Sequence, residues 1–166
     1  MIHPQCTAQC RIATPLGEMT AAATSSGLAG LWFDEQAHHP GALQLPVDPS
    51  QRWLAAARTA LSRYFNGHAQ PLQDLLLDLH GTLFQRAVWS ELLALKAGRT
   101  DTYGAIAARA GKPAAVRAAG AAVGRNPVSV LVPCHRVVGR DGALTGYAGG
   151  LERKRALLQH EGALAA

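Results

Sequence analysis

Of the three cysteines, at positions 6, 10 and 134, one stands in a string suited to chemistry, Pro133-Cys134-His135-Arg136. A thiol attacks as its thiolate, so a reactive cysteine needs a neighbour that takes or offsets its proton. His135 is adjacent, but neighbouring side chains of an extended segment point to opposite faces, so a bridging water is expected between the two. The imidazole in turn needs an acceptor to orient it, and the carboxylates near the end of the chain, above all Glu161, are the candidates. The other reading of an isolated cysteine is a buried structural thiol; the basic, histidine-bearing flank of Cys134 weighs toward reactivity. An odd number of cysteines does not make a disulfide framework.

The chain around this string has 166 residues, 48% hydrophobic and 16% charged, which fits a globular fold of one domain or of two small ones. No apolar run approaches the ~20 residues that span a bilayer, and the start, with Pro4, Gln5 and Cys6, lacks the layout of a signal peptide. No membrane partner is expected, and the expected location is cytoplasmic, at the nucleoid in a bacterium. The net charge of +5 is unevenly placed: residues 1–80 carry four Lys/Arg against six Asp/Glu, or −2, and residues 81–166 carry twelve against five, or +7. A one-sided basic balance suits a polyanion, because neutralising phosphates releases counterions; a basic face kept for solubility is the other reading.

Residues 8–33 read as short strands with turns at Thr14-Pro15-Leu16-Gly17 and Ser25-Ser26-Gly27, the last strand being Leu28 to Phe33. Residues 34–49 read as a loop. Ser50 offers a cap to a helix on which Leu54, Ala57, Leu61 and Phe65 recur until Asn66-Gly67. A boundary is placed at His80-Gly81. Thr82 and Gln85 have capping-box spacing, and Phe84, Val88, Leu92 and Leu95 form a helical stripe ending near Gly98. Two short helices follow, Tyr103 to Ala110 and Pro113 to about Val123, with Gly111-Lys112 between them, as in a helix-turn-helix. Val137-Val138 and Ala143-Leu144 flank Gly139-Arg140-Asp141-Gly142 and read as a hairpin. After Gly149-Gly150 a helix runs from Leu151 to about Gln159.

Between Pro113 and Gly124 the only side chain larger than valine is Arg117. Such a helix can press against another surface with a single guanidinium projecting. One reading is a tightly packed buried helix with a snorkelling arginine; the other is a helix laid on DNA with Arg117 reaching into the duplex. Its alanines could not read base edges, so any DNA binding would be largely independent of sequence.

Residues 82–162 resemble the C-terminal domain of the O6-alkylguanine-DNA alkyltransferases, the methylated-DNA–protein-cysteine methyltransferases. The resemblance rests on Phe84-Gln85, Val88-Trp89, Thr102-Tyr103-Gly104, Arg117-Ala118, Asn126-Pro127, Pro133-Cys134-His135-Arg136-Val137, Tyr147 with Gly149-Gly150, and His160-Glu161-Gly162, in order over about half of the chain. The first half is similar only in the Pro-Leu-Gly turn at 15–17. The resemblance implies a ribonuclease-H-like α/β domain, a small sheet with a helix, over residues 1–80 as support. It implies a mainly helical domain with a winged helix-turn-helix over residues 81–166.

It also implies roles. Cys134 would accept the alkyl group irreversibly, with His135, a water and Glu161 generating the thiolate and Asn126 bracing the turn. Tyr103 would help rotate the nucleotide's phosphate and protonate the leaving guanine. Arg117 would fill the gap in the base stack, with Ala118, Gly120 and Arg125 on the same DNA-facing element. Tyr147 and Ala148 would line the alkyl pocket, and Val137 and Val138 would offer backbone groups to the extruded guanine. The partner would be double-stranded DNA carrying O6-alkylguanine, with O4-alkylthymine as a second substrate. The protein would act as a monomer, with cooperative binding along DNA left open, and without cofactor or metal.

The chain departs from the family in two places. Ala148 stands where some relatives have a serine able to bond the guanine oxygen. Thr24 and Ala29 stand where some relatives hold zinc, and the spacing of Cys6, Cys10, His38 and His39 fits no familiar zinc pattern. Three other classes stay open: a non-catalytic protein that only binds alkylated DNA, which Cys134 argues against; a helix-turn-helix transcription factor, which would need polar base-reading side chains; and a cysteine hydrolase, for which no oxyanion-hole motif is seen.

Overall fold

The computed structural model describes residues 2–68 and 72–165. The fold is mixed α/β, and the chain divides into two compact units, Met1–His80 with Pro127–Leu131, and Gly81–Asn126 with Val132–Ala166.

In the first unit β1 (Ala8–Thr14), β2 (Gly17–Ala23) and β3 (Leu28–Phe33) form an antiparallel sheet in that order. Along β1 Ala8, Cys10 and Ile12 are buried while Arg11 and Ala13 face solvent, the period of two of a half-covered edge strand. The whole of β3 is buried. Helix α1 (Arg52–Phe65) packs on the sheet through Trp53, Leu54, Ala57, Ala60, Leu61 and Tyr64. Its cap is Gln51, not Ser50: the Gln51 side chain accepts from the backbone of Trp53 and Leu54, while the Ser50 hydroxyl donates to Asp48 at 2.6 Å. Tyr64 fills the last buried position, and Phe65 is half-buried.

The sequence reading kept 127–131 with residues 81–166, but the segment groups with the first unit. The backbone N–H of Leu31 donates to Pro127 and that of Ser129 to Leu31, both at 2.8 Å, so Val128 bridges to β3. Val130 there has φ +71° although it is β-branched and 1% exposed, a conformation held only because its surroundings over-determine it.

The second unit contains α2 (Leu83–Leu93), β4 (Asp101–Thr102), α3 (Tyr103–Arg109), α4 (Val116–Gly124), a single 3-10 turn (Cys134–Arg136), β5 (Val137–Val138) and α5 (Leu151–His160). Thr82 and Gln85 form the reciprocal capping box, an arrangement worth about 1 kcal/mol, and α2 buries Val88, Trp89 and Leu92. The helix stops at Leu93, short of Gly98, and Leu95 lies beyond it. The Trp89 indole donates to the carbonyl of Ala122 at 2.8 Å and ties α2 to α4. Thr102 caps α3 through the backbone of Ala105. Pro113 is not in α4 but in a turn before it, and the helix starts at Val116 without a side-chain cap.

Val137-Val138 does not pair back with Ala143-Leu144. Residues 139–142 do turn, with Gly139 N–H bonded to the carbonyl of Ala143, but β5 pairs in parallel with β4, Asp101 beside Val137 and Thr102 beside Val138. Among the described residues no helix is long and apolar enough to cross a membrane.

Candidate active site

The segment expected to be extended at Cys134 is instead a 3-10 turn, so side chains 134 to 136 fan out from a common axis and none is forced to an opposite face. Cys134 is 3% exposed and His135 fully buried. The Asn126 amide, at the end of α4, donates to the carbonyl of Val132 at 2.8 Å and to Sγ of Cys134 at 3.0 Å. It thereby fixes the turn before the cysteine and places a donor dipole on the sulfur.

His135 Nε2 lies 2.7 Å from Glu161 Oε1. Glu161 is the C-cap of α5, with its side chain 2% exposed. An ionised carboxylate only accepts, so Nε2 carries the proton and Nδ1 the lone pair, the tautomer of a base. Arg136 completes the arrangement from the other side, Nε donating to Oε2 at 2.8 Å and Nη2 to Oε1 at 2.9 Å, with Nη1 on the carbonyl of Leu95. A buried carboxylate bonded by both an imidazole and a forked guanidinium is a rigid, desolvated charge.

Burial pushes the Cys134 thiol up to about 11, against the pull of the Asn126 amide and the Lys154 ammonium. Burial also holds His135 below the ordinary 6.5, with Glu161 opposing. Burial disfavours ionised Glu161 as well, but the hydrogen bonds and charges of His135 and Arg136 outweigh it and bring the carboxyl down to about 2. The resting site is therefore a protonated thiol near a neutral imidazole, with the negative charge stored on Glu161. Sulfur becomes a nucleophile only as its proton leaves.

Tyr103, at the start of α3, donates its hydroxyl to the carbonyls of Thr145 and Gly146 at 3.0 and 3.2 Å. Its phenol is pushed up chiefly by burial and stays a neutral donor. Its ring lies beside Gly120 of α4, where a Cβ would sit 3.7 Å from the ring edge. Tyr147 is half-buried, edge-on to His135 with ring centroids 6.4 Å apart, and Ala148 follows it, also half-buried. Val137 and Val138 are buried, and the carbonyl of Val137 accepts from Lys154 Nζ at 2.5 Å. On α4 Ala119, Ala122 and Val123 are buried, while Arg117, Ala118, Ala121 and, at the helix end, Arg125 are exposed. Arg117 thus stands on an open face and not on a buried one.

Two residues here escaped the sequence reading. Arg136, a basic flank in the sequence, is buried and holds Glu161. Lys154 is fully buried in α5, donating to Val137, Thr145 and Gly146. The available signal was its place on the stripe shared with Leu157, Leu158 and Glu161.

In the first unit, Thr24 bonds Asp78 through its hydroxyl at 2.6 Å and Ala29 is buried in β3. Cys10 faces the core from β1, Cys6 is half-buried, His38 is exposed and His39 meets Trp32 edge-on. Burial pushes both thiols up, Cys6 to about 11. Among the described residues no group of three or more His, Cys, Asp or Glu side chains has the arrangement of a metal site.

Residues 83–163 match the family model for the DNA-binding domain of 6-O-methylguanine DNA methyltransferase. A methylated-DNA–protein-cysteine methyltransferase of Mycobacterium bovis is 45% identical over 150 residues, covering 90% of this chain and 89% of that one. One of Haemophilus influenzae is 39% identical over 153 residues, covering 89% and 82%. The crystal structure of Mycobacterium tuberculosis OGT in complex with DNA is similar with a TM-score of 0.83 at 42% identity, over 94% of this chain and 93% of that one. The O6-methylguanine-DNA methyltransferase of Pyrococcus kodakaraensis is similar at 0.62 and 27%, over 93% and 98%. With relatives of this identity along nine-tenths of its length, the chain belongs to the methylated-DNA–protein-cysteine methyltransferase family.

Proposed function

We propose that the protein repairs DNA by direct reversal, moving the alkyl group of O6-alkylguanine onto Cys134. The observation that carries this reading is a buried sulfur, bonded by Asn126, in the same turn as a neutral imidazole that Glu161 orients. As the S–C bond forms, the C–O bond breaks; the thiol proton passes through a bridging water to His135, and guanine leaves with a proton from Tyr103. Return of the His135 proton to the phenol closes the cycle, so that in sum the thiol proton ends on guanine. The product is a thioether, which no second base in the site can expel, so each molecule acts once. A protein that only binds alkylated DNA would have no use for this sulfur.

A base inside a duplex cannot reach a buried sulfur, so the nucleotide must be flipped out, at a cost of a few kcal/mol. The small-residue face of α4 suits close approach from the minor groove, with Arg117 filling the vacated stack, Ala118, Gly120 and Arg125 beside the backbone, and Tyr103 turning the phosphate. Tyr147, Val137, Val138 and Ala148 would receive the base, and O4-alkylthymine offers the same kind of alkyl carbon. The paired α3 and α4 are taken as the helix-turn-helix of a winged active-site domain over residues 81–166. The sheet and α1 correspond to a ribonuclease-H-like support domain over residues 1–80. We take the protein to act as a monomer in the DNA-containing compartment.

Direct reversal has a chemical signature. Nucleoside analysis of an O6-methylguanine duplex after reaction should show each lost methylated nucleoside replaced by deoxyguanosine in an uncut strand. Free methylated base, or a nicked strand, would mean excision and defeat the reading.

A further inference from the structure

The ammonium of Lys154 is an expensive feature. A fully buried charge survives only where hydrogen bonds replace its water, and the one carboxylate of this site, Glu161, is bonded to His135 and Arg136. Lys154 Nζ instead donates to three carbonyls, Val137 at 2.5 Å, Thr145 at 2.7 Å and Gly146 at 3.3 Å. Two of them, Thr145 and Gly146, are the carbonyls that take the Tyr103 hydroxyl. A carbonyl oxygen has two lone pairs, so each of these can accept from Lys154 on α5 and from Tyr103 on α3, the single phenolic proton being shared between the two. Gly146 adopts φ +47° between them, a left-handed conformation suited to glycine. The next two residues are Tyr147 and Ala148.

We infer that Lys154 is a positioning residue, the permanent half of a two-donor clamp whose removable half is the Tyr103 hydroxyl. In the DNA-free protein both donors hold the 145–146 carbonyls. When Tyr103 turns its hydroxyl to DNA, Lys154 keeps those carbonyls satisfied, and the segment bearing Tyr147 and Ala148 stays where Val137 and the sulfur need it. The same ammonium bonds Val137 and so spans β5 and the 145–148 segment. Without it, release of Tyr103 would leave the Thr145 and Gly146 carbonyls with neither of these two donors just as the base arrives. The division of labour rests on the proposed function; the clamp itself does not.

The test uses four full-length proteins: the parent, Lys154→Met, Tyr103→Phe and the double variant. Thermal midpoints read the clamp without DNA. Tyr103→Phe should lower the midpoint only slightly in the parent, where Lys154 still serves both carbonyls, and at least twice as much in the Lys154→Met background. Additive losses would overturn the clamp. Single-turnover transfer to Cys134 is then read with free O6-benzylguanine and with methylated duplex. Lys154→Met should lower the maximal rate roughly 100-fold on both, as for a displaced pocket, with the half-saturating duplex concentration within about twofold of the parent. A rate within threefold of the parent on the free base would overturn the positioning role. Lys154→Gln, which keeps a donor on a shorter stem, should fall between parent and methionine on the free base, and it serves if the methionine variant does not fold; parental transfer there would overturn the inference equally. A parent that transfers from neither substrate would sink the proposed function and leave the clamp to be judged by the midpoints.

Discussion

Replacing Cys134 with alanine should abolish alkyl transfer while leaving a folded protein that still binds methylated duplex within about threefold of the parent. The substitution removes one buried sulfur from a turn that does not depend on it: Asn126 keeps its 2.8 Å bond to the carbonyl of Val132, and the His135–Glu161–Arg136 arrangement makes no use of Sγ. A void the size of one atom costs about 1 kcal/mol, too little to unfold an ordinary domain. Serine should be equally inactive, because a hydroxyl is a far weaker nucleophile and burial opposes its ionisation as it does that of the thiol. The pair of variants is read by transfer of a radiolabelled methyl and by duplex binding. Transfer surviving in either variant would show that the acceptor is elsewhere.

Glu161→Gln should be damaging in two separable ways. Glutamine preserves the shape but removes the charge that fixes the His135 tautomer, so the proton path from Cys134 loses its base. A positioned base is worth roughly 10²–10⁴-fold, and a single-turnover loss in that range is expected. The same change leaves the buried Arg136 guanidinium without its anion, and breaking one partner of a buried pair costs about 3–5 kcal/mol. A compensating Arg136→Met in the Glu161→Gln background should therefore recover stability without recovering rate. If rate returned with stability, Glu161 would be only a structural partner.

The carboxyl's ionisation gives the expectation a pH signature. Its folded value, about 2, lies below the ordinary 4.5, so the stability it supplies is complete above 4.5 and is lost as the pH falls toward 2. His135, also held below its ordinary 6.5, adds a loss of the same sign once the unfolded chain begins to take up protons below 6.5. The parent should thus lose stability steadily on acidification from neutrality, and Glu161→Gln should lose less than the parent below 4.5. A parental stability unchanged between pH 6 and 3 would contradict these assignments.

Features written in local patterns were legible in the sequence. The Pro-Leu-Gly turn and the strands around it, the Thr82–Gln85 box, and the paired short helices all depend on residues a few positions apart. The Pro133–Arg136 string that marks the candidate site was legible for the same reason. What could not be read was set by distant partners. Val137-Val138 looked like half of a hairpin because its parallel partner, Asp101-Thr102, lies more than thirty residues upstream. Arg136 reads from the sequence only as a basic flank of Cys134 because its carboxylate is twenty-five residues away and meets it only when α5 docks on the 3-10 turn. Local rules also misplaced two helix starts. Ser50 is the commoner cap type, but its hydroxyl found Asp48 first, and Pro113, suited to a first turn, sits in the turn before α4 instead. Lys154 was missed because solvent is the default home of lysine, and only the buried stripe of α5 places its ammonium on backbone carbonyls.

The most direct test titrates the protein with an O6-methylguanine duplex and weighs the intact chain. The mass should rise by one methyl group, the peptide containing Cys134 should carry it, and the modified fraction should plateau at one methyl per chain however much duplex is added. Continued demethylation beyond one equivalent, or a methyl found on any other residue, would contradict a sulfur that captures its alkyl group for good.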